Sequence, residues 1–115
     1  MHEMPATRGM LDVALEHMRK AGAGRVVAID VVVGELTSIV DDSVQFYFDI
    51  LSRETPAAGA ALRFRREAAE GTCGDCGHAF PVAPPLERMC PACGSLALRV
   101  TGGRAFFVES IEVEQ

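Results

Sequence analysis

Four cysteines, paired as Cys73/Cys76 and Cys90/Cys93 with 13 residues between the pairs, use every cysteine of the 115-residue chain. A CxxC turn points two sulfurs at one metal, so two such turns at this spacing close a tetrahedral thiolate cage of the kind that holds Zn²⁺. Four protein ligands leave no open coordination position, and the cage therefore reads as structural rather than catalytic. Iron shares the tetrahedral S₄ preference, and a dithiol redox couple is the third reading of the same spacing. Gly77 and Gly94 each follow the second cysteine of a pair. Glycine there predicts a positive φ, a turn that lets backbone amides face the thiolates. His78 is close enough in sequence to replace a cysteine, but with four thiolates at hand it reads as a neighbour of the site rather than a ligand.

A second set of chemically suggestive residues lies at the other end. The chain begins Met1-His2-Glu3. A histidine in second position puts an amine, an amide and an imidazole nitrogen on one short stretch, which can close fused chelate rings around one ion. Amide nitrogen gives up its proton readily only to a metal that favours square-planar or tetragonal nitrogen ligands, meaning Ni(II) or Cu(II). Glu3 offers a carboxylate or a further amide nitrogen. The plain alternative for this tripeptide is an unordered tail.

Composition bounds the rest. Hydrophobic residues make up 49 % of the chain, with no tryptophan and six of the seven aromatics phenylalanine. One compact domain, or one with a metal-stapled appendage, is the expectation at this length. The net charge of −5 argues against nucleic acid, which demands clustered Lys and Arg. No apolar run reaches a membrane span, and the N-terminus lacks the pattern of a signal peptide. A reducing cytoplasm is expected, where paired CxxC motifs bind metal in preference to forming disulfides. No base–nucleophile pair is recognisable: His2, His17 and His78 have no obvious partners, and His17 reads as a solvated helix residue. The chain is not expected to be an enzyme.

Several elements must position these groups. Met4, Leu11, Ala14, Leu15 and Met18 recur at helical spacing between Met4 and Ala21, with Pro5 in the first turn and Gly22 and Gly24 as the stop. Arg25 to Val33 is almost continuously apolar and β-branched, a strand buried on both faces. After the loop Gly34–Ser38, one of Asp41, Asp42 and Ser43 is expected to cap a second helix with Val44, Tyr47, Phe48 and Leu51 as its core stripe. Phe46 and Ile50 project elsewhere on that helix and are expected to be covered by the rest of the fold, since an exposed apolar face would be a docking surface. Leu62–Arg65 alternates as a half-exposed strand does. The last strand, about Arg104 to Glu114, changes phase near Glu109-Ser110, which predicts a β-bulge. The cysteine segment lies between two strands and is thus an insertion whose ends the sheet holds together. At about 30 residues it has too little core to fold alone, and metal binding would supply on the order of 10 kcal/mol.

Taken together, the chain resembles the hydrogenase nickel-incorporation proteins, the HypA/HybF family of nickel metallochaperones. The resemblance covers essentially the whole length. It rests on Met1-His2-Glu3, on Gly34-Glu35-Leu36 after the first strand, on the two CxxC pairs and on Ser110-Ile111-Glu112-Val113. It implies an α+β fold: a small three-stranded sheet with two helices forms the nickel-binding domain, residues 1–69 and 104–115. An inserted zinc-ribbon-like module with four cysteine ligands forms the zinc-binding domain, residues 70–103. It also implies Ni(II) as transient cargo on His2, with the Met1 amine and Glu3 backbone beside it, and structural Zn(II) on Cys73, Cys76, Cys90 and Cys93. Some members add an aspartate from the loop before the second helix, for which Asp41 and Asp42 are the candidates. The implied partners are the accessory GTPase HypB and the large subunit of [NiFe]-hydrogenase, with the chain itself a monomer or weak homodimer. Met4-Pro5 departs from the family's usual apolar-Ser or apolar-Ala continuation. The rival reading is a zinc-ribbon protein-interaction module without nickel function.

Overall fold

The computed structural model describes residues 3–86 and 88–115, arranged in two compact units. The first contains the residues up to Val32, Ile39–Arg65 and Phe106–Gln115; the second contains Val33–Ser38 and Arg66–Ala105. In chain order the elements are α1 (Glu3–Lys20), β1 (Arg25–Gly34), α2 (Asp41–Leu51), β2 (Ala61–Glu67), β3 (Ala69–Cys73), β4 (Ala79–Val82), β5 (Leu98–Gly102) and β6 (Phe106–Glu114). They form two three-stranded sheets, ordered β2-β1-β6 and β4-β3-β5. No described helix is long and apolar enough to cross a membrane.

In the first unit the apolar run of β1 occupies the middle of its sheet, where both faces are covered. Val26, Ile29, Val31 and Val32 are fully buried, as a near-continuous β-branched strand requires. The helix α1 packs on α2 and against β6, and contributes Thr7, Met10, Leu11, Ala14 and Met18 to the core. The buried stripe is displaced from the expected one by part of a turn. Met10 is buried, whereas Met4 is 50 % exposed and Leu15 only half-buried. With 3.6 residues per turn the inward face is centred near Thr7 and Ala14, which leaves Met4 and Leu15 on its margin.

Three further expectations are corrected here. Phe46 and Ile50 are 61 % and 41 % exposed rather than covered, because α2 buries only the edge carrying Val44 and Phe48. None of Asp41, Asp42 and Ser43 caps α2: the N-cap is Val40, whose side chain has no hydrogen-bonding group, and the aspartates fall inside the first turn. Negative charge there still faces the positive end of the helix dipole. The last strand begins at Phe106 rather than Arg104. Its alternation does break where expected, with Glu109 and Ser110 exposed in succession.

A charged network ties the three strands of this sheet. Arg63 on β2 donates to Asp30 on β1 at 2.8 Å and to Glu112 on β6 at 2.9 Å, while Ser110 donates to the second oxygen of Asp30 at 2.7 Å. The Arg63 guanidinium and then the Ser110 hydroxyl hold the Asp30 carboxyl below its usual range. Arg65 reaches Glu109 at 2.8 Å in the same manner.

The cysteine segment carries a sheet that the sequence pattern did not reveal. β3 is central and pairs antiparallel with both β4 and β5, from Ala69 opposite Val82 and Gly102 to Thr72 opposite Ala79 and Arg99. Val33–Ser38 belongs with it: the amides of Gly34, Glu35 and Leu36 donate to the carbonyls of Ala105, Glu67 and Gly103 at 2.7, 2.9 and 2.7 Å. The backbones touch. A Cβ on Gly34 would lie 2.3 Å from the carbonyl carbon of Gly103, which itself has φ +70°. Only glycine fits at either position.

Candidate metal sites

Each CxxC pair is held by a turn of the same construction. In the first, the amide of Cys73 donates to the carbonyl of His78 and the amide of Gly77 to the carbonyl of Cys73, both at 3.0 Å. In the second, Cys90 pairs with Ser95 and Gly94 with Cys90, both at 2.8 Å. Gly77 and Gly94 have φ of +76° and +78°, the left-handed turns that the sequence predicts. The curled backbone points amides at sulfur. Asp75 and Cys76 donate to Sγ of Cys73 at 3.4 and 3.5 Å, and Ala92 donates to Sγ of Cys90 at 3.3 Å. Asp75 of one turn accepts a hydrogen bond from Ser95 of the other, and Ser95 accepts from the amide of Ala97. Sequence reasoning missed this strut, since nothing local marks Asp75 and Ser95 as partners.

The four sulfurs converge, all lying within 4.8 Å of one another. Cys73 and Cys93 are 3.6 Å apart and Cys76 and Cys90 3.7 Å, too far for a disulfide, and all four are free thiols. A tetrahedron of Zn–S bonds about 2.3 Å long has edges of roughly 3.8 Å. The donor set, the count and the spacing all fit Zn²⁺. His78 stands outside the cluster, stacked on Phe80 with 5.6 Å between ring centres.

Electrostatics point the same way. The amides of Cys76 and Asp75 draw the Cys73 thiol down to about 6, so it ionises first. For Cys93 the Ser95 amide pulls downward, but the neighbouring Cys73 and Cys76 sulfurs and burial outweigh it and push the thiol up to about 12. Cys76 is likewise raised: the His78 amide lowers it, and burial together with Cys90 and Cys73 overcomes that. Crowded sulfurs cannot all be thiolates unless a cation joins them, and a divalent metal relieves the repulsion while displacing the remaining protons.

Of the N-terminal group, Met1 and His2 lie outside the described residues. Glu3 does not, and its placement is unusual for a carboxylate: it is only 2 % exposed. Its Oε2 accepts a hydrogen bond from the amide of Val40 at 3.3 Å, and its main-chain carbonyl accepts one from the hydroxyl of Thr7, itself fully buried. Asp41 and Asp42 follow Val40 directly, the first half-buried and the second exposed. Glu3 and the start of α2 are thus brought together, although 37 residues separate Glu3 from Val40. No sequence signal pointed to Val40 or Thr7, because a backbone amide carries no signature and a threonine inside a helix reads as neutral.

The family model described as hydrogenase/urease nickel incorporation, metallochaperone, hypA matches residues 1–113. A hydrogenase maturation factor HypA from Caldanaerobacter subterraneus subsp. tengcongensis is 41 % identical over 115 residues, covering 99 % of this chain and 100 % of the relative. One from Dehalococcoides mccartyi is also 41 % identical, covering 99 % of this chain and 95 % of its own. Among solved structures, the solution structure of the Ni metallochaperone HypA from Helicobacter pylori superposes with a TM-score of 0.68 at 24 % identity, covering 99 % of this chain and 98 % of that one; it shares the fold. A second, titled the solution structure of HypA protein, gives 0.69 at 26 % identity, covering 98 % and 96 %. Matched over nearly its whole length by the family model and by its curated relatives, the chain belongs to the HypA family of nickel metallochaperones for hydrogenase maturation, carriers rather than catalysts.

Proposed function

We propose that this protein carries Ni(II) on its N-terminus, through His2 with the Met1 amine and the Glu3 backbone. With the accessory GTPase HypB, it passes the ion to the large subunit of [NiFe]-hydrogenase. Asp41 or Asp42 is the further candidate ligand. Cys73, Cys76, Cys90 and Cys93 hold a structural zinc in a domain of residues 70–103, and residues 1–69 and 104–115 form the nickel-binding domain. The observation that carries this reading is the family match beginning at residue 1, which takes in the Met1-His2-Glu3 start along with both CxxC pairs.

Two sites of such different build suit two tasks. A closed thiolate cage exchanges its metal slowly and gives the surrounding backbone its shape. Nickel on a chain end is accessible, and it leaves when a partner offers better ligands. Amine, imidazole and any ligating amide must lose protons to bind, so nickel affinity falls as pH drops through the imidazole's ordinary pKa of about 6.5.

Nickel titration of the purified chain tests the reading. The native protein is expected to take up one Ni(II) with a planar-nickel absorption spectrum, while His2→Ala and a chain extended ahead of Met1 lose tight binding and keep the fold. Unchanged affinity in the extended chain would instead favour a zinc-ribbon interaction module without nickel function.

A further inference from the structure

Glu3 invites a simple assignment, a carboxylate ligand for the nickel next to it, but its surroundings say otherwise. The side chain is turned into the first unit instead of toward solvent, almost wholly buried where the adjacent Met4 is half exposed. A buried carboxylate is costly unless hydrogen-bonded. Oε2 meets the amide of Val40, whereas Oε1, equally buried, meets no donor among the described residues. The rest of Glu3 is fixed as well, because Thr7 holds its carbonyl one turn further along α1.

The Val40 end of this contact explains why it exists. Val40 is the N-cap of α2 and provides no side-chain hydrogen bond. In a capping box, a glutamate three residues into the helix reaches back to the N-cap amide. Here the same bond, to the same amide, comes from a different helix. A negative charge at that place also meets the positive end of the α2 dipole. One contact therefore completes α2 and fixes the residue from which the metal-binding terminus departs.

We infer that the Glu3 carboxylate is a positioning residue: it clamps the nickel-binding chain end onto the N-terminus of α2, beside Asp41 and Asp42, and does not itself bind nickel. This rests on the nickel-carrier reading above. Without the clamp the first turn of α1 frays, and the ligands must be ordered when the metal arrives. The ligand set is unchanged by that loss; only its pre-organisation is.

The test compares Glu3→Ala, Glu3→Gln and Val40→Pro, with His2→Ala as the reference, by nickel titration and by the planar-nickel absorption band. Glu3→Ala is expected to weaken nickel binding about tenfold, the worth of one hydrogen bond to a charged acceptor, with the band unmoved. Glu3→Gln keeps an acceptor for the Val40 amide and should recover most of that loss. Val40→Pro removes the donor and should reproduce the loss, and the double variant Glu3→Ala/Val40→Pro should lose no more than either alone. If the proline variant misfolds by circular dichroism, the alanine–glutamine pair still decides. A shifted band in Glu3→Ala, or glutamine no better than alanine, would make the carboxylate a ligand and overturn the clamp. Nickel binding that needs His2 but ignores Glu3→Ala sinks the clamp alone. Binding indifferent to His2 sinks the carrier reading, and the clamp with it.

Discussion

The two units are stabilised by different means. The first buries Leu11, Val26, Ile29, Val44 and Phe48 completely, a continuous apolar core contributed by two helices and a central strand. Among the described residues the second buries only Val33, Ala69, Cys73, Val82 and Cys90 of its apolar side chains, and two of those are thiols of the four-cysteine cluster. Hydrophobic burial stabilises the first, and a metal held by the four cysteines would supply the stability that the second lacks. The difference suits the proposed division of labour, since a unit with its own core can present a metal-binding chain end without depending on a metal for its own fold.

Metal removal should expose this contrast most visibly. Stripping the bound metal with a chelator, or replacing Cys73 by Ser, is expected to unfold the β4-β3-β5 sheet while the β2-β1-β6 sheet persists. Amide hydrogen exchange would read this as protection lost in residues 69–102 and retained in 25–32. Uniform loss of protection along the whole chain would show that the two units fold as one.

Phe48→Ala probes the other side of the comparison. Emptying the site of the largest fully buried side chain should cost about 3–5 kcal/mol of the first unit's stability. It should leave the cysteine cluster's zinc content unchanged. Loss of zinc in a still-folded variant would count against the separation.

The smallest expected effect concerns pH. Cys93, at about 12, and Cys76, also raised, carry protons at pH 7 in the metal-free cluster, whereas Cys73, at about 6, is already a thiolate. Zinc uptake should therefore release at least two protons, measurable with a pH indicator in weak buffer, and zinc affinity should fall steadily as pH is lowered, starting well above 7. Because the Cys73 thiol is depressed, its share of the loss comes last, as pH falls through about 6. Proton release near zero would mean the thiols are already ionised, contrary to the crowding of the sulfurs.

How much of this was legible beforehand depends on how local each signal is. Both metal turns were readable to the residue: the cysteines, the glycines behind them and the positive φ at Gly77 and Gly94 all lie within a few consecutive positions. The buried strand β1 was equally clear, because a continuous β-branched run has few other uses. The helices were found, but their orientation was not. Met4 and Met10 carry the same chemistry, and only the packing of α1 on α2 and β6 put one outside and the other inside. Phe46 and Ile50 were misjudged for the same reason. The strands of the second sheet were missed because short segments such as Ala69–Cys73 and Ala79–Val82 alternate over too few residues to stand out, and pairing gives them their regularity.

Sequence by itself determined the chemistry on offer: soft thiolates at a spacing that closes one cage, a histidine in second position, and a family likeness that spans the chain. It could do so because ligand identity and turn geometry are properties of a few adjacent residues. Tertiary structure decided which groups meet. Whether Glu3 faces solvent, a metal or the amide of Val40 depends on two helices from distant parts of the chain coming together. Only the folded core holds that carboxylate at the start of α2.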